Sequence, residues 1–102
     1  MSIVKVDYGE VGGGTHVETG QCAAMMNYTT PVTFEKPFTS NPTIYIRPIE
    51  APANYPYLSI HGTSYYSNLS TTGMTLKNIY WCKGDFSGYT SGGTIEWIAV
   101  GD

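Results

Sequence analysis

Short segments in which apolar and polar residues alternate, each ended by glycine, proline or asparagine, limit the fold of this chain most. The clearest segment covers residues 43–49, where Ile44 and Ile46 share one face of an extended chain. Similar alternation occurs in residues 57–63, 73–81 and 94–100. No window repeats apolar residues at helical spacing over three turns. The pattern therefore predicts an all-β domain of short strands joined by tight turns.

The predicted last strand, residues 94–100, is apolar on both faces except at Glu96. Ile98 and Val100 lie on the face opposite Trp97. Antiparallel sheets normally leave one face in water, so two apolar faces indicate a central strand covered on both sides. In so small a domain we expect the second cover to come from another copy of the chain. Trp97 is predicted to be a core or subunit contact rather than a ligand contact.

The chain has 102 residues, which suits one domain with a single core. Residues 15–102 are predicted to form a small antiparallel β-sandwich of about six to seven strands. Residues 1–14 are predicted to form an N-terminal strand or arm followed by a glycine-rich loop.

Turn residues and alternation also predict local details. Gly20 is expected to interrupt the extended segment 15–26, residues 27–31 to form a turn, and Pro48 to mark a strand end or a sheet edge. The strand over residues 73–81 is predicted to place its large side chains on two opposing faces: Met74, Leu76 and Tyr80 against Ile79 and Trp81.

The charge pattern argues against nucleic acid and membrane partners. The net charge is −3, and the five fixed positive charges are scattered along the chain: Lys5, Lys36, Arg47, Lys77 and Lys83. No basic stripe forms, and the apolar runs are too short for a membrane span. The first residues lack the apolar segment of a signal peptide. We therefore expect synthesis in the cytoplasm, or a domain that belongs to a longer protein.

Few residues suit catalysis or metal binding. The sequence contains two histidines, His16 and His61, but no motif that would supply a nucleophile to either of them. No pattern places two carboxylates in one cleft. No enzyme activity and no cofactor are predicted. Asp85 could offer oxygens to Ca²⁺, but its Gly-Asp context favours a turn. Cys22 and Cys82 could be bridged, although the expected compartment favours reduced, partly buried thiols.

Nine tyrosines are the most distinctive side chains. Tyrosine has a high strand propensity, so many of them are expected to cover sheet faces. Tyrosine and tryptophan also give rigid amphipathic contact area, and their rings meet the C–H face of a sugar. On this second interpretation the candidate ligand-binding residues come from two adjacent segments and a glycine-rich loop: Tyr65, Tyr66, Asn68, Trp81, Lys83, Asp85 and Tyr89.

Four segments in a fixed order carry a resemblance that spans residues 17–102. They are residues 32–38, 41–44, 70–76 and 95–101, the last of which reads IEWIAVG. In this order the chain resembles the H-type lectin domain of snail agglutinins and discoidins, and most closely its relatives at the C-termini of phage tail-fibre and minor structural proteins. The resemblance implies a small antiparallel β-sandwich that assembles as a trimer and binds sugar near subunit borders.

The resemblance carries over to few residues. Trp81 matches a tryptophan of the lectins' sugar site, but Cys82 follows it where histidine is frequent, and Tyr65 stands where an arginine contributes. N-acetylgalactosamine specificity is therefore not carried over. Cys22 resembles the first cysteine of the snail lectins' disulfide, whereas Cys82 lies after the tryptophan instead of before it.

Together these observations lead to one expectation and one alternative. The expectation is a non-catalytic module that binds glycans, assembles as a homo-oligomer and attaches a phage tail or a similar structure to a surface. Its expected location is a virion tail or an extracellular surface. The alternative is a structural trimeric tail, baseplate or decoration protein without a glycan ligand.

Overall fold

Nine short β-strands are found in residues 15–102, the part of the chain that the computed structural model describes. They are β1 (His16–Ala24), β2 (Thr29–Thr33), β3 (Thr43–Glu50), β4 (Tyr57–Ile60), β5 (Tyr66–Ser67), β6 (Gly73–Lys77), β7 (Ile79–Cys82), β8 (Tyr89–Thr90) and β9 (Gly92–Gly101). The all-β prediction is confirmed for these residues. Because they contain no helix, they include no helix that could cross a membrane. The arm predicted over residues 1–14 lies outside the described residues.

The strands form three small antiparallel sheets of three strands each. Sheet I has the order β1-β9-β3, sheet II the order β2-β6-β5, and sheet III the order β4-β7-β8. The last strand is central in sheet I, as predicted. Pro48 lies on β3, an edge strand of the same sheet, where a residue without an N–H is tolerated.

One hydrophobic core collects residues from all three sheets, which makes the fold β-sandwich-like. Its members are Ala24, Phe34, Phe38, Ile44, Met74, Leu76, Ile79, Trp81, Ile95, Trp97 and Ala99. Trp97 belongs to this core, in agreement with its predicted role. β1 continues through Gly20, so the predicted interruption is wrong. A Cβ at Gly20 would lie 2.6 Å from Trp97 Nε1, and the glycine is therefore required by packing.

Asn78 separates β6 from β7 and changes which side chains face the core. Its φ of 61° is left-handed, and this one residue outside the strands shifts the alternation by one position. As a result Ile79 and Trp81 are buried together with Met74, while Tyr80 points the other way. The predicted opposition of Met74 and Ile79 is therefore wrong, because it assumed an unbroken strand.

Two loops are shorter than predicted. The turn expected over residues 27–31 is confined to its first part, since β2 already begins at Thr29 and Pro31 pairs with Thr75. The glycine-rich segment after Cys82 contains the short strand β8, which pairs with β7.

The outward face of β9 in sheet I is apolar at Ile98 and Val100, whereas Glu96 on the same face forms an ion pair with Arg47 of β3. Ile98 and Val100 alternate with buried residues and are themselves half-buried. Cross-strand pairing places Val17 beside Val100 and the exposed Tyr45 beside Ile98. An apolar strip therefore crosses the three strands of this sheet.

Candidate functional site

Sheet III presents one face to the core and an aromatic face to the outside. Trp81 of β7 is buried in the core, so its neighbours Tyr80 and Cys82 lie on the opposite face of the sheet, where Cys82 is itself covered and Tyr80 is half-buried. The register places Tyr57 of β4 and Tyr89 of β8 on either side of Cys82. The tyrosines of three strands therefore lie on one surface.

A cleft of about 300 Å³ lies at one end of this face. Its lining comes from four parts of the chain: Met26, Asn27, His61, Asn78, Tyr80 and Tyr89. The Met26 backbone N–H donates to Ser91 Oγ at 2.7 Å, which ties the β1–β2 turn to the segment that follows β8. The His61 N–H donates to the Asn78 carbonyl at 2.9 Å and so fixes the end of β4 against β7. Two backbone N–H groups therefore hold the walls of the cleft, one through a side-chain hydroxyl and one through a backbone carbonyl.

The cleft combines aromatic rings with neutral polar side chains. Tyr80 and Tyr89 meet edge to face, with ring centroids 5.3 Å apart and an interplanar angle of 85°. Asn27, Asn78 and His61 supply amide and imidazole groups that can donate and accept hydrogen bonds. Apolar walls with a few polar groups are typical of small-ligand sites. This combination suits a sugar, which offers a C–H face to rings and hydroxyls to amides.

A second aromatic pair lies beside the cleft on the same face. Tyr57 and Phe86 are stacked, with centroids 5.5 Å apart and an interplanar angle of 17°, and both are exposed. Phe86 comes from the turn after β7, so this turn extends the aromatic surface. We call this pair the Tyr57–Phe86 platform.

Trp81 is the predicted contact residue that the structure removes farthest from solvent. Its exposure is 0%, and its Nε1 donates to the Gly92 carbonyl at 2.7 Å. A sugar ring therefore cannot contact Trp81 in this conformation. The side chain is part of the core and supports the face from below.

Tyr65, Tyr66 and Asn68 lie away from the cleft. Tyr65 lines a mainly apolar groove of about 550 Å³ between β3 and β4, which is distinct from the cleft and is also lined by Tyr57. The Tyr65 hydroxyl donates to the Ile44 carbonyl at 2.5 Å. Burial first, and then the neighbouring tyrosines, raise the pKa of Tyr65. Tyr66 packs edge to face on Tyr65 at 5.2 Å, and Asn68 has a left-handed φ of 55° in the turn after β5. The structure thus divides the predicted cluster between two surfaces.

Lys83 and Asp85 belong to the turn that carries Phe86. The Lys83 ammonium lies 5.8 Å from the centre of the Tyr55 ring. Asp85 Oδ1 accepts the Ser87 N–H at 3.0 Å, and the Ser87 hydrogen bonds lower the pKa of Asp85. Asp85 therefore acts as a turn residue, the interpretation that its sequence context favoured. Of the predicted residues, Tyr89 is the one that lines the cleft.

Sequence reasoning missed several residues of the cleft. Asn27 was assigned only to a turn, and His61 and Tyr80 only to strand faces. Asn78 carried a usable signal, because asparagine inside an alternating strand is a frequent left-handed residue. Recognising it would have turned Tyr80 outward. The approach of the β1–β2 turn to β8 has no signal in the sequence.

The described residues show neither a metal-holding cluster nor a disulfide. Residues 15–102 contain no group of three His, Cys, Asp or Glu side chains placed to hold a metal ion. Cys22 and Cys82 are both free, and burial raises the pKa of the Cys22 thiol. Cys82 is buried, and its Sγ donates to Ser59 Oγ at 3.3 Å.

Comparison with protein-family models gave no match, and comparisons with curated proteins and with solved structures gave no significant match.

Proposed function

We propose that this chain is a non-catalytic carbohydrate-binding module, and that the cleft lined by Tyr80 and Tyr89 holds a sugar ring of its ligand. The observation that carries the proposal is the composition of this cleft. Two tyrosine rings stand next to the amides of Asn27 and Asn78 in a space of about 300 Å³. The side chains that line it carry no carboxylate and no lysine or arginine, which suits hydroxyl groups as ligands.

We propose further that the module is a homo-oligomer. The support is the outward face of sheet I, where Ile98 and Val100 form an apolar strip with Val17 and Tyr45. A second copy that covers this strip would remove its apolar surface from water. Several copies joined in this way would present several clefts at once, so that weak single sites bind strongly together. The H-type lectin resemblance adds the expectation of a trimer.

This arrangement would serve attachment to a surface that carries glycans. The resemblance to C-terminal modules of phage tail fibres suggests a tail, or a similar surface structure, as its setting. The proposal assigns no cofactor, nucleic acid or membrane lipid to the protein.

A glycan-array screen with the purified oligomer tests the glycan ligand, and Tyr89→Ala tests the cleft. We expect the wild type to bind at least one glycan and Tyr89→Ala to lose about tenfold or more in affinity, because one wall of the cleft is removed. Tyr28→Ala is the matched control, since Tyr28 is 68% exposed, does not line the cleft and should not affect binding.

Light scattering on the same samples tests the oligomer. The wild type should have a mass of several chains, and Ile98→Lys should reduce it to one, because a charge on the apolar strip opposes its burial. A wild type that remains a single chain at micromolar concentration would refute the oligomer but not the cleft.

The second candidate function is structural, and the burial of Trp81 favours it. This residue matches the sugar-contacting tryptophan of the lectins, yet it has no exposed surface. The lectin site is therefore not reproduced at that position, and the same fold could serve as a tail, baseplate or decoration component. Intact wild-type oligomers that bind no glycan on the array would establish this role over the first.

A further inference from the structure

Phe86 combines an exposed ring with an unfavourable backbone. Its φ is 61°, a conformation that costs a residue with a bulky side chain about 1–2 kcal/mol, and its side chain is 63% exposed. Burial of the ring therefore offsets little of this cost. Strain of this kind persists where the surrounding structure holds it, and it is found preferentially at binding sites.

Hydrogen bonds within the turn hold Phe86 in this position. The Phe86 N–H donates to the Lys83 carbonyl at 2.9 Å, and the Lys83 N–H donates to the Gly88 carbonyl at 3.0 Å. Asp85 Oδ1 accepts the Ser87 N–H at 3.0 Å. The turn thus keeps the ring nearly parallel to Tyr57, at an angle of 17°. The platform is formed before any ligand arrives, so little ordering is needed on binding.

The register fixes how far the platform lies from the cleft. Tyr57 and Tyr89 are the two cross-strand partners of Cys82 and share its outward face. Two adjacent cross-strand steps amount to about 10 Å between their Cα atoms. That distance exceeds the width of one sugar ring and can be spanned by a short oligosaccharide. Cys82, which lies between them, is buried and uncharged.

We infer that the ligand is an oligosaccharide that places different rings of one chain in the Tyr80–Tyr89 cleft and on the Tyr57–Phe86 platform, rather than a single terminal sugar. This inference depends on the proposed glycan-binding function. The cleft supplies hydrogen bonds from Asn27 and Asn78 and selects one ring. The platform supplies mainly ring contact and therefore adds affinity with less selectivity.

The test is the dependence of binding on chain length. The probe is an array printed with nested series of defined glycans, each running from the monosaccharide to the hexasaccharide, and dissociation constants of the best series are then measured by calorimetry. We expect affinity to rise by about tenfold or more from the monosaccharide to the trisaccharide. Phe86→Asn should abolish most of this rise and leave the monosaccharide affinity unchanged. Asparagine is used because it tolerates the left-handed backbone and removes only the ring.

Two further variants complete the experiment. Tyr57→Thr removes the other half of the platform with a residue that suits a strand, and it should have the same effect as Phe86→Asn. Tyr28→Ala should keep the full length dependence. Equal affinity for short and long glycans, or a rise that survives both platform variants, overturns the inference while the cleft remains. A folded wild type that binds no glycan in any series overturns the proposed function and this inference with it.

Discussion

Glu18 of β1 accepts hydrogen bonds from the loop between β2 and β3, and its replacement tests how much one half-buried carboxylate contributes to the stability of this fold. Its side chain is 13% exposed. Oε1 accepts the Glu35 N–H at 2.6 Å, and Oε2 accepts the Lys36 N–H at 2.8 Å. His16 Nε2 lies 2.8 Å from Oε2. We expect Glu18→Gln to destabilise the domain.

The magnitude follows from these bonds. A hydrogen bond to a charged group contributes about 1.5–3 kcal/mol and a neutral one about 0.5–1.5 kcal/mol, and glutamine keeps only one accepting oxygen. One backbone N–H would keep a weaker bond and the other would lose its acceptor. The free energy of unfolding should fall by about 2–4 kcal/mol at neutral pH, which corresponds to a decrease in Tm of roughly 8 °C or more. Urea titration followed by tryptophan fluorescence measures this change.

The same contribution should depend on pH. Burial raises the pKa of Glu18, but the backbone hydrogen bonds from Lys36 and Glu35 and the contact with His16 outweigh it, and the net pKa is lowered from 4.5. A carboxylate whose pKa is lower in the folded than in the unfolded chain stabilises the fold fully above the unfolded pKa of 4.5. This stabilisation is lost as the pH falls through the pKa of the folded state. The difference between wild type and Glu18→Gln should therefore shrink on acidification below 4.5.

Glu35→Gln is the control, because Glu35 is exposed and the substitution changes the net charge by the same amount. Its effect should stay within about 0.5 kcal/mol, as for most surface substitutions. If Glu18→Gln and Glu35→Gln unfold at the same urea concentration, or if the loss caused by Glu18→Gln does not vary with pH, the reasoning is refuted.

Three further predictions concern packing and backbone. Gly20→Ala should cost about 1–3 kcal/mol in a urea titration, since its Cβ would lie 2.6 Å from Trp97 Nε1, whereas Gly84→Ala, which meets nothing within 4 Å, should have little effect. Trp81→Phe should cost about 2–4 kcal/mol, because it leaves a buried carbonyl without its donor and opens a small cavity; an unchanged Tm would contradict the burial of this residue. Asn78→Val should lower the free energy of unfolding by about 1–2 kcal/mol, because valine is strained at the left-handed φ of this position. Asn78→Gly should unfold close to the wild type in the same urea titration, because glycine adopts this φ without strain.

Much of the strand arrangement could be predicted because side-chain alternation is a local property. β3 and β9 were both predicted to within two residues of their observed ends. The two apolar faces of β9 correctly indicated a central strand. Pro48 indicated the edge, since a strand residue without an N–H cannot serve a central ladder. These inferences needed no knowledge of which strands are neighbours.

The side chains that line the candidate cleft were predicted less well, and Asn78 explains most of the difference. Alternation assigns side chains to faces only while the strand is unbroken, and one left-handed residue reverses the assignment for everything after it. The reversal buries Trp81, which had been predicted as a ligand contact, and turns Tyr80 toward the cleft. The aromatic composition gave no warning, because both faces of the segment carry large rings.

The sequence by itself determined the secondary structure class, the central last strand and the abundance of tyrosine, because these depend on period, turn residues and composition. Only the tertiary structure decided that Asn27 and His61 meet Tyr89, since strands far apart in sequence pair through backbone groups that every residue carries. Backbone hydrogen bonds are nearly independent of side-chain identity, and the choice of partners is made by packing of the whole core. A binding site composed from several strands therefore becomes visible only once that packing is known.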